Sequence, residues 1–394
     1  MSIQRLRIGV FTATRAEYGL LYPVIQALRA SDRFAPALIV SGAHLSPEHG
    51  MTVSEIEEDG QPIAARVPIH QPGDDALAVA RTLAAAADGC AQAFHDCQLD
   101  AVFLLGDRTE LLGAAAAAAA LRLPILHLEG GHVTEGAVDD AVRHAVTKLA
   151  ALHFTAAEPY RQRIIQMGED PERVFTVGST GLDNLRAQGS RSVADIGAEI
   201  GLDLSPGFLL TTFHPETLGT EAPEAQMAAL RTALDAFPDL KVLYTLPNAD
   251  EGNQAIRAAV MAHAAAQPDR VYAVESLGRR RYAWALSAAA AVVGNSSSGV
   301  IEAPMHRIAT INIGDRQKGR LRAPSILDVP AEASAIQAAI ARGVSPEFRE
   351  TIRDQVSPMG DGQAGRRIVS ILEGVDFATL GRKRFRDLPI TPAE

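Results

Sequence analysis

Short apolar runs alternate with longer stretches of helical period along almost the whole chain. Strand-like runs fall at 6–12, 35–40, 101–105, 125–128, 153–156 and 174–177. Helical periods fall between them at 18–29, 76–96, 111–121 and 137–149. After a polar stretch at 186–205 a second series begins, with strands at 208–212, 241–245, 271–273, 288–293 and 310–313. Its helices are expected at 222–236, 252–266 and 279–287. Strand and helix taking turns predicts a parallel sheet covered by helices on both faces. Two such series predict an α/β protein of two doubly wound domains facing a cleft, 1–187 and 188–365. A last amphipathic helix and tail, 366–394, is expected to pack back across the boundary.

Ligands of doubly wound sheets sit beyond the C-terminal ends of the strands. Here those ends carry Arg15, Asp107 with Arg108, Glu129, His214 and Ser296. The densest of them is the segment Gly294-Asn295-Ser296-Ser297-Ser298-Gly299 with Glu302 behind it. A strand that ends in small polar residues before a helix offers N–H groups and hydroxyls to an anion. Glu302 is expected about one and a half turns into that helix, since a turn takes about 3.6 residues. A carboxylate there suits a ribose diol better than a phosphate. A plain strand–helix turn with serine as N-cap is the competing reading.

Composition narrows the partners. The 394 residues suffice for two ordinary cores, with 47% hydrophobic and 21% charged residues. A net charge of −10 argues against nucleic acid and anionic membranes as partners. Cys90 and Cys97 have no metal-ligand company and no disulfide framework, which points to helix packing in a reducing cytosol. No signal core stands at the N-terminus, and no apolar run approaches the roughly 20 residues of a span. The seven alanines of 114–120 read as a close-packed helix. No G-x-G-x-x-G follows the first strand, which argues against a dinucleotide.

Several segments together resemble the hydrolysing UDP-N-acetylglucosamine 2-epimerases, in the branch that feeds sialic and legionaminic acid synthesis. They are TATRAEYGLL (12–21), LLGDRTE (104–110), HLEGGHVTEGAVDDAVRHAVTKLA (127–150), VGSTGLDN (177–184), FHPET (213–217) and GNSSSGVIEAP with INIGDRQKGR (294–320). The resemblance implies two Rossmann-like domains of the glycosyltransferase-B type. It implies elimination of UDP from a UDP-sugar, then hydration of the glycal to the free 2-epimer, with no metal and no cofactor. A homodimer or homotetramer in the cytoplasm is expected.

By the same resemblance Asp107, Glu129 and Asp139 form the acid/base set, with Asp140 beside them. The chemistry needs such a set, because C2–H of a sugar is scarcely acidic and its loss calls for a positioned carboxylate. Which one takes the C2 proton stays open. Asp107 as an N-cap, and Asp139 and Asp140 as first-turn acids, are the plainer alternatives. Arg15 and His214 are implied at the diphosphate, a structural loop histidine being the alternative for His214. Ser296, Ser297 and Glu302 are implied as nucleotide holders, with Arg316 closing over them. Asn248 matches a position near the nucleotide but also ordinary turn chemistry. Arg108 and Arg143 are candidate partners of the carboxylates, and Arg143 reads equally as a solvated helix arginine.

The chain departs from the family pattern twice. Leu20 and Leu21 stand where many relatives have a lysine, and His132 stands where many have glutamate. Two other classes remain: a glycosyltransferase on the same fold, and a sugar-nucleotide sensor without turnover.

Overall fold

The computed structural model describes residues 5–47, 51–71, 76–133, 139–215, 222–246 and 253–387. The chain divides into two compact units, Met1–Asn184 with Gly362–Glu394, and Leu185–Asp361.

The first unit is built on seven strands: β1 (Leu6–Thr12), β2 (Phe34–Ser41), β3 (Ile63–Val67), β4 (Ala101–Leu105), β5 (Ile125–Leu128), β6 (Leu152–Thr155) and β7 (Val174–Thr176). Their order is β3-β2-β1-β4-β5-β6-β7, all parallel. Val10 of β1 lies between Leu38 of β2 and Phe103 of β4, which fixes the register at the centre. The strand order reverses between β1 and β4, so that switch point opens a crevice at the strand ends. Successive residues face opposite sides of the sheet. Ile8, Val10 and Phe103 pack on one face against Leu21, Val24 and Ile25 of helix Arg15–Ala30. Phe11, Val102 and Leu104 pack on the other face against helices Ala76–Asp96 and Thr109–Ala120. The alanine run lies in this second layer. A Cβ on Gly113 would stand 2.5 Å from the Leu83 carbonyl oxygen, so the two helices touch backbone to backbone. Cys90 and Cys97 are free, buried thiols in the same layer.

The second unit carries β8 (Phe208–Thr212), β9 (Lys241–Thr245), β10 (Val271–Val274), β11 (Ala291–Gly294), β12 (Thr310–Ile313) and β13 (Ile326–Val329). The order β10-β9-β8-β11-β12-β13 is again parallel and reverses between β8 and β11. Its core joins Leu209, Val242, Val293 and Ile311 to Leu230, Ile256 and Ile340 from the covering helices.

Four departures from the expected elements have a plain physical cause. Of residues 288–290, read as strand, Ala288 ends helix Gly278–Ala288, Ala289 is its cap and Ala290 bends into β11, because alanine repeats carry no period that separates helix from strand. The edge strands β3 and β13 are half exposed and short, so no continuous apolar run marks them. The polar stretch hides helix Val193–Ile200, closed by a Ser192–Asp195 capping box and by Gly201 at φ 72°. Helix Arg15–Ala30 begins three residues before the expected Tyr18, because Thr14 and Glu17 form a second capping box.

The chain returns to the first unit with helix Ala364–Glu373. Its N-terminus is held by Asp183, whose carboxylate accepts from the N–H of Ala364 (2.8 Å) and of Gly365 (2.7 Å). Ile368, Val369 and Leu372 then join the core beneath helix Arg15–Ala30. Farther on, Lys383 donates to the carbonyls of Lys148 (2.7 Å) and Ala150 (2.8 Å), at the C-terminal end of helix Asp139–Leu149. Lys383 also pairs with buried Glu169 at 2.7 Å, alongside Lys148 (2.6 Å) and His153 (3.1 Å). Burial works to raise Glu169, but the bonds from His153, Lys148 and Lys383 outweigh it and hold the carboxyl at about 2, against an ordinary 4.5. A depressed carboxyl contributes stability above its unfolded pKa and loses it toward its folded one. The protein is therefore expected to lose stability as pH falls from about 4.5 to about 2. Glu169→Gln should be less stable at neutral pH and should lack that part of the acid dependence. Urea unfolding across this pH range measures both, and parallel curves for the two proteins would exclude Glu169 as a source of the acid dependence.

Candidate active site

In the first unit the chemistry-bearing residues leave the C-terminal ends of β1, β4 and β5. After β4 the chain turns at Gly106 (φ 82°) and presents Asp107. Arg108, not Asp107, is the N-cap of helix Thr109–Ala120, so the N-cap reading of Asp107 falls away. The carboxylate of Asp107 accepts from Arg143 Nη2, and that of Asp140 accepts from Arg143 Nη1. The same Nη1 donates to the carbonyl of His132 at 2.9 Å. Arg143 is 3% exposed, so it is no solvated arginine but the cation on which two acids converge. A planar fork with several fixed donors suits that bridging task. Asp139 and Asp140 are the first two residues of helix Asp139–Leu149. Asp140 faces Arg143, and Asp139 stays exposed.

Arg108 does not pair with Asp107. Its Nε donates to Glu110 at 2.7 Å and lies 4.0 Å from Glu17. Glu17 lies within TATRAEYGLL but is not among the expected site residues. Burial raises its carboxyl to about 7 against the Ala13 N–H, 2.7 Å away, with Glu110 adding to the rise and Arg108 opposing it. Arg15, expected at a diphosphate, extends into solvent and pairs with Glu55 at 2.9 Å.

Glu129 follows β5 in a left-handed backbone conformation, φ 63°, with its N–H on the carbonyl of Phe154 (3.0 Å). One carboxylate oxygen, Oε2, accepts from His132 Nε2 at 2.9 Å. The other, Oε1, is buried and has no hydrogen-bond partner among the described residues. The His132 ring stacks on Tyr160, with centroids 3.9 Å apart. Gly131 makes this turn possible: its φ is 83°, and a Cβ there would stand 2.3 Å from the Tyr160 carbonyl oxygen. Beneath the turn, His127 Nε2 donates to the carbonyl of Gly106 (3.0 Å) and Nδ1 accepts from Thr147 (3.2 Å). Full burial lowers His127 to about 3, so it is a neutral strut joining the β4 and β5 loops. Its place within the apolar run of β5 gave no sign of this role.

In the second unit the corresponding strand ends are those of β8 and β11. Gly294 has φ 139°, and a Cβ there would meet the Thr212 carbonyl oxygen at 2.0 Å. Asn295 follows, fully buried. Its Oδ1 accepts from the N–H of His214 (2.7 Å) and its Nδ2 donates to the carbonyl of His214 (2.8 Å). The Asn295 carbonyl accepts from Gln317 (2.9 Å) and Arg316 (3.2 Å). Asn295 thus clips together His214, the serine turn and the loop after β12, a task that a lone asparagine beside three serines does not advertise. His214 is buried, 5% exposed, within this clip.

Ser296 is the N-cap of the short helix Ser297–Ile301, and its hydroxyl makes no capping bond. Glu302 is the residue after that helix rather than a member of it. Pro304 explains the early end, since it has no N–H to give to the Val300 carbonyl, and the chain goes on as the tighter 3-10 turn Ala303–His306. Glu302 Oε2 accepts from Ser298 Oγ (2.6 Å), which accepts from the hydroxyl of Tyr282 (2.8 Å). Burial raises the Glu302 carboxyl, and the Ser298 bond opposes the rise. Asn248 lies outside the described residues. Among the described residues no cluster of His, Cys, Asp or Glu could hold a metal, and no helix is long and apolar enough to cross a membrane.

Two parallel-sheet units, each with buried polar residues at its switch point, define a Rossmann-like α/β protein of two doubly wound sheets. The chain belongs to the UDP-N-acetylglucosamine 2-epimerase family, whose model matches residues 26–373. It is 32% identical over 387 residues to a hydrolysing GDP/UDP-N,N'-diacetylbacillosamine 2-epimerase of Campylobacter jejuni, covering 98% of this chain and 100% of that one. It is also 32% identical to the polysialic acid biosynthesis protein P7 of Escherichia coli, covering 97% and 96%. Its fold matches the crystal structure of UDP-GlcNAc 2-epimerase from Neisseria meningitidis bound to UDP-GlcNAc. The TM-score is 0.78 at 17% identity, with 93% and 100% of the two chains covered.

Proposed function

We propose that this protein is a hydrolysing 2-epimerase of a UDP-linked 2-acetamido sugar in nonulosonic acid biosynthesis. UDP-N-acetylglucosamine is its leading substrate, with N-acetylmannosamine and UDP as products. The observation that carries the reading is the acid cluster of the first unit: Asp107 and Asp140 on one buried guanidinium, with Glu129 on the next strand end. A glycosyltransferase on the same fold would leave such a three-carboxylate cluster unexplained.

In the first half-reaction a carboxylate takes the proton from C2. The C2–H electron pair becomes the C1–C2 double bond, and the C1–O pair leaves with UDP. In the second half, water adds its oxygen to C1 and a proton is delivered to C2 on the opposite face. Asp107, Glu129 and Asp139 serve these proton steps. Arg15 and His214 meet the diphosphate, with Ser296, Ser297, Glu302 and Arg316 holding the nucleotide. The name of the Campylobacter relative favours a second substrate, the UDP-linked 2,4-diacetamido-2,4,6-trideoxy sugar of the legionaminic acid pathway. The same reading places the protein in the cytoplasm as a homodimer or homotetramer.

The test is mass spectrometry of the products from both UDP-sugars in labelled water. In D2O the released sugar is expected to carry one deuterium at C2. In heavy-oxygen water the label is expected in the sugar and not in UDP, because C–O rather than P–O breaks. A product that keeps its C2 hydrogen would sink the mechanism.

A further inference from the structure

The half-reactions above give no task to the imidazole of His132, yet both acid groups of the first unit are joined through this residue. Its Nε2 holds Glu129 Oε2 at 2.9 Å, and its backbone carbonyl takes Arg143 Nη1 at 2.9 Å. Arg143 in turn holds Asp107 and Asp140. The ring plane is fixed by stacking on Tyr160, and the turn that allows the stack depends on Gly131. Because the acceptor is a carboxylate oxygen, Nε2 is the nitrogen that carries the proton.

The three candidate acids are left in different states by these contacts. Asp107 has an oxygen engaged by a guanidinium, and Asp139 stands exposed on the first turn of its helix. Glu129 has one oxygen committed to His132, while the other is buried with no hydrogen-bond partner among the described residues. A carboxylate pinned through one oxygen cannot rotate freely, so its remaining lone pairs keep one direction. Preorganisation of this kind removes orientational freedom before the reaction rather than during it.

We propose that His132 is a positioning residue that makes Glu129 the proton-taking group: it pins Oε2 and leaves Oε1 for the hydrogen on C2. The proposal rests on the reading of Glu129 as an acid/base group. The proton balance is simple. Oε1 gains the C2 proton as the C2–H pair forms the C1–C2 double bond and UDP departs with the C1–O pair. Nε2 keeps its own proton and its bond to Oε2 throughout. His132 touches the carboxylate, not the sugar, so it acts through Glu129 alone.

Two variants separate this role from a structural one. His132→Phe keeps a ring for Tyr160 and the carbonyl for Arg143 but has no N–H. His132→Gln loses the stack but keeps an amide donor near the position of Nε2. His132→Phe is expected to lower kcat about 10–100-fold, a part of the 10²–10⁴ that a general base contributes, with KM and UDP affinity within about twofold. His132→Gln is expected to stay within about fivefold of the parent. A substrate deuterated at C2 should show a larger isotope effect on kcat in His132→Phe, since proton removal becomes slower than release. Adding Glu129→Gln to His132→Phe should cost far less than it costs the parent, because the two act as a unit.

The proposal is overturned if His132→Phe turns over like the parent while Glu129→Gln is inactive, or if the two losses multiply. It is also overturned if His132→Gln is as impaired as His132→Phe while both remain folded by circular dichroism, which would assign His132 to the stack. A Glu129→Gln enzyme with parental kcat would instead remove the acid/base reading of Glu129 itself.

Discussion

Asp107→Asn and Glu129→Gln are each expected to lower kcat about 10²–10⁴-fold, the usual contribution of a positioned general acid or base. UDP should bind both variants as it binds the parent, because neither side chain is among those proposed to hold the nucleotide. A loss confined to kcat marks a group that acts in the transition state, whereas a loss in ground-state binding does not. Glu302→Ala should give the opposite result. Glu302 is desolvated, its Oε2 is held by Ser298 and Ser298 in turn by Tyr282, so Oε1 is the oxygen proposed to meet a ribose hydroxyl. Removing it is expected to weaken UDP by about 1–3 kcal/mol, the range for a charge-assisted hydrogen bond left unmade. Calorimetry with UDP and steady-state kinetics on the same three variants test the division of labour. UDP affinity that falls with Asp107→Asn, or that survives Glu302→Ala, would contradict it.

Arg143→Leu is expected to be the most damaging single change in the first unit. Three acceptors lose their donor at once: Asp107, Asp140 and the carbonyl of His132. Breaking a fully buried ion pair costs about 3–5 kcal/mol. Here the arginine is buried, but the two carboxylates are 28% and 26% exposed, so water recovers part of the loss. A destabilisation of about 1–3 kcal/mol follows, together with a fall in kcat at least as large as that of Asp107→Asn. Arg143→Lys should recover some stability and little activity, since an ammonium is a point charge and cannot span both carboxylates in fixed geometry. Urea denaturation and kcat on the two variants measure this. A stable, active Arg143→Leu protein would show that the two acids need no common partner.

The strongest signals in the sequence came from buried parallel strands. β1, β4, β5, β8 and β11 are short, mostly apolar runs closed off by polar or small residues. A strand covered on both faces has no polar positions to interrupt it. Their alternation with helical periods is enough to place Asp107, Glu129, His214 and Ser296 at strand ends. What the local pattern could not show were elements held by something other than apolar burial. The edge strands β3 and β13 are half exposed, and helix Val193–Ile200 rests on its caps. The helix after Ser296 stops before Glu302 because of a proline.

The sequence by itself determined the alternation of the buried strands with helices, the two-sheet plan and the loops that carry the chemistry. The tertiary structure decided which charges meet. Arg143 reaches Asp107 across 36 residues, and Asn295 clips His214 across 81. Arg108, adjacent to Asp107 in the chain, turns away from it to Glu110, while His132 turns back on Glu129. The reason is geometric. In a parallel sheet the neighbouring strand ends are separated in sequence by a whole crossover helix, so no short-range pattern records which side chains face each other there.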